Sequence, residues 1–160
     1  MELIIIAAMA AHRVIGRNNT LPWRIPEEMT HFRTVTMGHP VIMGRRTFQS
    51  IGAPLAGRRT LVLSADPGFH PQQGVLVFPT LTAALAACAR EEKVFLIGGE
   101  QSFREGMALA DTILLSVIDL AVEGDAFFPE IPMDCFHLAD CRQIAADPQI
   151  RLETYRRNTP

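Results

Sequence analysis

The chain has 160 residues, 48% of them hydrophobic and 20% charged, with a formal net charge of −2. Such a length suits one domain around one core, and such a composition excludes a disordered chain, a membrane-spanning one and one that coats nucleic acid by bulk charge. Three cysteines, Cys88, Cys135 and Cys141, lack C-x-x-C spacing, which argues against a disulfide framework or zinc site, so no metal is expected and reduced thiols in the cytoplasm are.

The opening MELIIIAAMA ends in Ala8-Met9-Ala10, which has the look of a signal cleavage site, yet Glu2 stands where a signal peptide carries positive charge and the run is short. It reads better as a strand over 3–8. No apolar run approaches the ~20 residues that cross a bilayer. Short apolar runs predict further strands over 40–43, 60–64, 75–78, 94–97 and 112–119, and the patterns between them predict helices over 26–36, 45–51, 81–90 and 101–109. This alternation is that of an α/β domain. Several strands are apolar at nearly every position, as central strands covered on both faces are. Beyond residue 120 the alternation stops, and strands over 136–144 and 150–156 predict an antiparallel hairpin at one edge. With neither repeats nor a low-complexity tract, residues 1–160 read as one domain.

Residues 9–25 form a connection too long for an ordinary strand-to-helix turn, and such loops in compact domains usually carry function. The segment holds Val14-Ile15-Gly16 and Asn18-Asn19, looks mobile, and ends in LPWRIPEEM (21–29). Pro26 suits a first helical turn, which places Glu27 and Glu28 in the favourable field of a helix N-terminus. At about 100° per residue, Glu28 shares a face with Phe32 and Val35, whereas Glu27 falls beside His31 and Thr34. Only Glu28 points inward. It is either a partly exposed helix-start acid or the holder of a ligand with two parallel N–H donors, since a buried carboxylate without a partner is costly.

VIMGRRTF (41–48) runs from a strand through Gly44 to a helix mouth bearing Arg45 and Arg46. These are either ordinary surface arginines or phosphate partners beside free backbone N–H groups. VFLIGGEQSF (94–103) repeats strand, Gly98-Gly99 and helix. A bare glycine pair is weak evidence of a cofactor contact, but a second such junction strengthens it, because open α/β sheets bind nucleotides beyond the carboxyl ends of their strands. In SIGAPLAGRRT (50–60), Ile51 and Leu55 are core by default and Arg58 is an exposed arginine; in VEGDAFFP (122–129), Gly124-Asp125 is a plain turn. G-x-S-x-G, the P-loop signature and H-E-x-x-H are all absent, and the five histidines lack ligand spacing.

Taken together and in this order, IIAAMAAHRVIG, LPWRIPEEM, PVIMGRRTFQSIG, PLAGRR, FLIGGEQSF and VEGDAFFP resemble dihydrofolate reductases over residues 3–129, the likeness thinning toward the C-terminus. The resemblance implies a single-domain α/β fold: a mostly parallel eight-stranded sheet with an antiparallel C-terminal edge and about four flanking helices. It also implies a monomer that uses NADPH, binds antifolate inhibitors and reduces 7,8-dihydrofolate to tetrahydrofolate for one-carbon metabolism. The hydride goes to pterin C6 and a proton to N5. In this resemblance Glu28, Trp23 and Leu21 are the catalytic residues: Glu28 grips the pterin 2-amino group and N3 and helps supply the proton, and Trp23 borders it and holds a water. Substrate walls fall on Ile6, Ala7, Phe32, Ile51, Leu55, Ile97 and Ser116, and Arg58 matches the arginine that holds the glutamyl α-carboxylate. Nicotinamide positions fall on Ala8, Ile15, Gly16 and Leu21. The pyrophosphate and 2′-phosphate cradle falls on Gly44, Arg45, Arg46 and Thr47, with Leu63 and Ser64 beside the adenine ribose. Further cofactor positions fall on Ile97, Gly98, Gly99, Glu100, Gln101, Ser102 and Phe103, the glycine pair being joined by a cis peptide in the family. Asp125 matches an acid that helps hold the active-site loop closed.

Some residues depart from the commonest bacterial pattern. Glu28 stands where aspartate is usual, Leu21 where methionine is frequent, and Phe103 in place of a tyrosine. Gln101 and Ala65 stand where an arginine and a serine can assist the 2′-phosphate, so preference for NADPH over NADH leans on Arg45 and Arg46. Two other functions stay open on sequence alone. One is a related nicotinamide-dependent reductase of another heterocycle, such as the flavin-pathway pyrimidine, which would not be expected to keep Trp23, Glu28 and Arg58 together. The other is a pterin or nucleotide carrier without turnover.

Overall fold

A computed structural model describes all residues, 1–160. Its elements in chain order are β1 (Glu2–Met9), β2 (Val14–Gly16), α1 (Pro26–Thr36), β3 (Val41–Gly44), α2 (Arg45–Ile51), β4 (Thr60–Leu63), β5 (Val75–Phe78), α3 (Leu81–Ala87), β6 (Lys93–Leu96), α4 (Glu100–Met107), β7 (Thr112–Ile118), β8 (Ala126–Phe127), β9 (Phe136–Ala146) and β10 (Gln149–Arg157). Eight strands form one sheet in the order β5-β4-β3-β6-β1-β7-β10-β9. All neighbours from β5 to β7 run parallel, and β10 lies antiparallel to both β7 and β9, which makes the expected edge hairpin.

Side chains that alternate across the sheet build two cores. On one face Leu3 and Ile5 of β1 join Ile42, Leu61 and Leu96, and Leu81, Phe103 and Met107 close over them from α3 and α4. On the other face Ile4 and Ile6 join Val41, Met43, Val62 and Phe95, covered by Phe48 of α2 and by Phe32 and Val35 of α1. Each central strand is apolar at successive positions because each serves both layers. Parallel strands also bring their C-terminal ends to one edge, where β3 and β6 run into helices through glycine. Gly44 caps α2 and Gly99 caps α4, and Gly44 N donates to Gly98 O at 2.8 Å, which ties the two junctions together.

Two differences from the sequence expectation have physical causes. The helix expected over 81–90 ends at Ala87, because the N–H groups of Cys88 and Ala89 bond to the carbonyls of Leu85 and Ala86, three residues back. Many helices finish with that tighter turn. The connection over 9–25 is more ordered than expected: it contains β2, which pairs antiparallel with β8 in a second, two-stranded sheet. Asn18 and Asn19, at φ 48° and 59°, form a tight turn closed by Arg17 N to Thr20 O (2.9 Å) and Thr20 N to Arg17 O (3.0 Å). Two consecutive positive φ values suit asparagine and match the twist of a hairpin. Strands of three and two residues are too short to leave an alternation signal. No helix is long and apolar enough to cross a membrane.

Gly124 sits against this small sheet with so little clearance that a Cβ would lie 2.6 Å from Gly16 O. Gly124→Ala is expected to pry β8 from β2 and leave the main sheet intact. Hydrogen exchange should quicken on the order of tenfold at the amides of Asn18 and Asp125 and stay unchanged at Ile5 and Leu115.

Candidate active site

Because α1 begins at Pro26, its phase decides where the two glutamates go. Glu27 is exposed, whereas Glu28 keeps only 8% of its surface. No ion pair of the protein includes Glu28, and burial raises its pKa above the ordinary carboxylate value. This is a charge taken out of water without a counter-ion. One turn on, Phe32 packs against the Ile4–Ile6 side of the sheet, as do Leu55 and Ile97. Trp23 and Ala8 pack on a third cluster, of Ile25, Ile118 and Ile150. Ala7 and Ala8 of β1 pair in register with Leu115 and the buried Ser116 of β7. Trp23 Nε1 is buried and has no partner within the protein, and the same holds for His31 Nε2. Burial, and then the charge of Arg142, holds His31 below its usual pKa.

The default readings of Ile51 and Arg58 do not both hold. Ile51 is 40% exposed at the end of α2, so it is not core; Leu55 is half-buried. Arg58 is not a free surface arginine. Its Nε donates to Ala56 O at 3.0 Å and its Nη1 to Thr36 Oγ1 at 3.2 Å, which leaves the rest of the fork to face outward. Burial, with Arg33 close by, presses its pKa downward. Arg33 is a second cation here that sequence reading passed over, since an exposed lysine or arginine on a helix carries no local signal. A cavity of about 310 Å³ lined by Met9, Leu115, Phe128 and Tyr155 belongs to the opposite face of the sheet and takes in none of the expected site residues.

On the other side of β1, the Gly98-Gly99 peptide is cis. Space around it is closely fitted: a Cβ on Gly44 would meet Ser102 Oγ at 3.1 Å, and one on Gly99 would meet Thr47 Oγ1 at 3.2 Å. Glycine lets the two junctions pack this closely at the starts of α2 and α4. Beside them lie Arg45, whose Nη1 donates to Asp66 Oδ2 at 2.7 Å, and Arg46, exposed and in no ion pair. Leu63 and Ser64 follow at the end of β4. Glu100 faces inward to the protein's own groups: Oε1 accepts Phe127 N at 2.7 Å and Oε2 accepts Arg104 Nη2 at 2.7 Å. Gln101 is exposed and bonds Glu105, and Phe103 is core. In the 9–25 connection Ile15 and Gly16 are half-buried and Leu21 is 59% exposed, and Asp125 Oδ2 accepts Asn18 N at 3.0 Å while Asp125 N donates to Gly16 O.

The family model for dihydrofolate reductase matches residues 2–158. The chain belongs to the dihydrofolate reductase family. It is 45% identical to dihydrofolate reductase type 3 of Salmonella typhimurium, over 81% of this chain and 80% of that protein. It is 38% identical to the dihydrofolate reductase of Bacillus subtilis, over 89% of this chain and 84% of that one. Among solved structures, dihydrofolate reductase from Enterococcus faecalis complexed with NADP(H) and RAB-propyl superposes with a TM-score of 0.91 at 32% identity, covering 99% of this chain and 97% of that one. Membership makes NADPH the cofactor. The two glycine junctions, closely packed at the starts of α2 and α4, bring helix-start backbone N–H groups together, the chemistry that suits a dinucleotide phosphate.

Folding raises the Glu28 pKa, so the folded state binds that proton more tightly than the unfolded chain. The penalty is absent below the unfolded value, where the group is neutral in both states, and is felt in full above the raised value. Glu28→Gln, neutral throughout, is expected to raise the melting midpoint of the ligand-free protein by about 2 to 4 °C near pH 8 and to leave it unchanged near pH 4, as read by scanning calorimetry.

Proposed function

We propose that this chain, acting as a monomeric single domain in the cytoplasm, reduces 7,8-dihydrofolate to 5,6,7,8-tetrahydrofolate with Glu28 as the acid that seats the pterin. One observation carries the assignment of the acid: a carboxylate at 8% exposure with no cation of the protein beside it. A buried anion of that kind is complementary to two parallel N–H donors, which the 2-amino group and N3 of a pterin supply. Bidentate contact favours the ionised form and so opposes the upward shift that burial causes. Trp23, with its unpartnered Nε1, holds the water through which a proton reaches N5.

Bound NADPH supplies the hydride that goes to pterin C6. The protein's part is positioning. Ala7, Phe32, Leu55 and Ile97 wall the pterin, and Ser116 lies at the end of the site on β7. The phosphates go to the Gly44 and Gly98-Gly99 cradle with Thr47, and the adenosine 2′-phosphate goes beside Arg45, Arg46 and Ser64. Ile15, Gly16 and Leu21 cover the nicotinamide side, where the Asp125 clasp on Asn18 keeps the loop near the cleft. Excluding water there strengthens each polar contact. A heterocycle reductase of the flavin pathway has no use for Trp23, Glu28 and Arg58 together, and a carrier has none for a closing loop.

Oxidation of NADPH on mixing with dihydrofolate, followed by absorbance, tests the activity itself. Glu28→Gln should keep NADPH binding but lower kcat by about 10²- to 10⁴-fold near neutral pH, the deficit narrowing in acid, where the substrate takes its proton from solvent; unaltered kcat would remove Glu28 from the chemistry. Arg58→Ala should raise KM for dihydrofolate by about 10- to 100-fold through loss of a charge-assisted contact, yet leave KM for a reducible pterin without the glutamyl tail as it was.

A further inference from the structure

We propose that Asp66 is a specificity-determining residue of the cofactor site: its carboxylate occupies the Arg45 guanidinium and competes there with the 2′-phosphate that distinguishes NADPH from NADH. The inference rests on the placement of that phosphate beside Arg45 given above. The observation behind it is a contact 21 positions apart in sequence, Arg45 Nη1 to Asp66 Oδ2 at 2.7 Å, made where the ends of β3 and β4 lie side by side.

Asp66 does not drift into this position; the turn after β4 is built around it. Its Oδ1 accepts Gly68 N at 2.8 Å, its own N–H donates to Ser64 Oγ at 3.2 Å, and its carbonyl accepts Phe69 N at 3.1 Å. Ser64, a residue of the same phosphate site, is therefore engaged as an acceptor by Asp66 as well. Asp66 is not the only group that places Arg45, whose guanidinium also lies over the Phe69 ring at 4.6 Å from the centroid. Phe69 in turn packs edge-on against the buried Phe48. Removing the acid leaves that shelf for the arginine in place.

The charge balance points the same way. Arg45 and Arg46 offer two positive charges, and Asp66 subtracts one. A phosphate monoester carries close to two negative charges at neutral pH, with a second pKa near 6. The Arg45 hydrogen bond first, and the Gly68 N–H second, hold the Asp66 carboxyl below the usual carboxylate range, so it stays ionised wherever the phosphate is a dianion. An exposed pair such as this is weak in itself, so the phosphate can displace it, but against a like charge that NADH never meets. Asp66 thereby lowers the margin by which the site prefers NADPH.

Titration calorimetry at low salt with NADP⁺, NAD⁺, 2′,5′-ADP and 5′-AMP tests the competition by binding alone, without turnover. Asp66→Asn keeps an oxygen to accept Gly68 N and removes the charge. It should tighten NADP⁺ and 2′,5′-ADP by about five- to tenfold while NAD⁺ and 5′-AMP stay within about twofold, and the NADP⁺ affinity should fall more steeply with added salt. In an Arg45→Ala background most of the gain should vanish. Unchanged or weaker NADP⁺ binding in Asp66→Asn would overturn the proposal, as would a full gain in the absence of Arg45. The parent placement fails separately: Arg45→Ala on its own would then weaken NADP⁺ and NAD⁺ alike.

Discussion

An acid held out of water with nothing of the protein's own to neutralise it is the constraint around which the site is arranged. Glu28 reaches that position because Pro26 starts α1 where it does, and because the helix then turns its third, seventh and tenth residues, Glu28, Phe32 and Val35, toward the sheet. The helix N-terminus lends some favourable field, but no counter-ion follows. Such a residue costs the fold stability whenever it is ionised. Local inconsistency of this kind marks a functional position more surely than any pocket shape.

The rest of the fold keeps that acid in a fixed relation to the two glycine junctions. β1 stands in the middle of the sheet, with apolar cores on both faces, so the strand that supplies Ala7 and Ala8 has little freedom. α1 leans on one core through Phe32 and Val35, and α4 on the other through Phe103 and Met107. The Gly44 to Gly98 hydrogen bond joins the glycine junctions of β3 and β6, the two strands next in order on one side of β1. Two reacting rings can be held face to face only if the elements beneath them do not shift, and dense packing on both sides of one sheet provides this.

What sequence reading captured and what it missed divide along a physical line. Every strand of the main sheet and the four α-helices were legible, mostly because burial on one or two faces writes a repeating apolar pattern into the chain, and Pro26, Gly44 and Gly99 punctuate it; the one-turn 3₁₀ helix at Ala11–Arg13 left no such trace. The choice of Glu28 over Glu27 came from the same helical phase. Invisible were contacts between polar side chains far apart in sequence, such as Arg45 with Asp66 or Glu100 with the N–H of Phe127, 27 positions away. No local pattern encodes a partner. Arg58 shows the same limit: its tether to Thr36 spans 22 positions, and nothing in P-L-A-G-R-R announces it. β2 and β8 were hidden for another reason, being too short for periodicity to exist.

The clasps on the 9–25 connection and on β8 beside it bear on how this protein can vary. Asp125 grips Asn18 and Glu100 grips Phe127, and in both cases the far end is a main-chain amide rather than a side chain. Any residue but proline offers that amide. The fastening therefore places no demand on the side chains at 18 and 127 beyond the turn conformation that suits asparagine at 18, so with chain length and both acids kept, lineages can retune what this small sheet presents without altering how it is held.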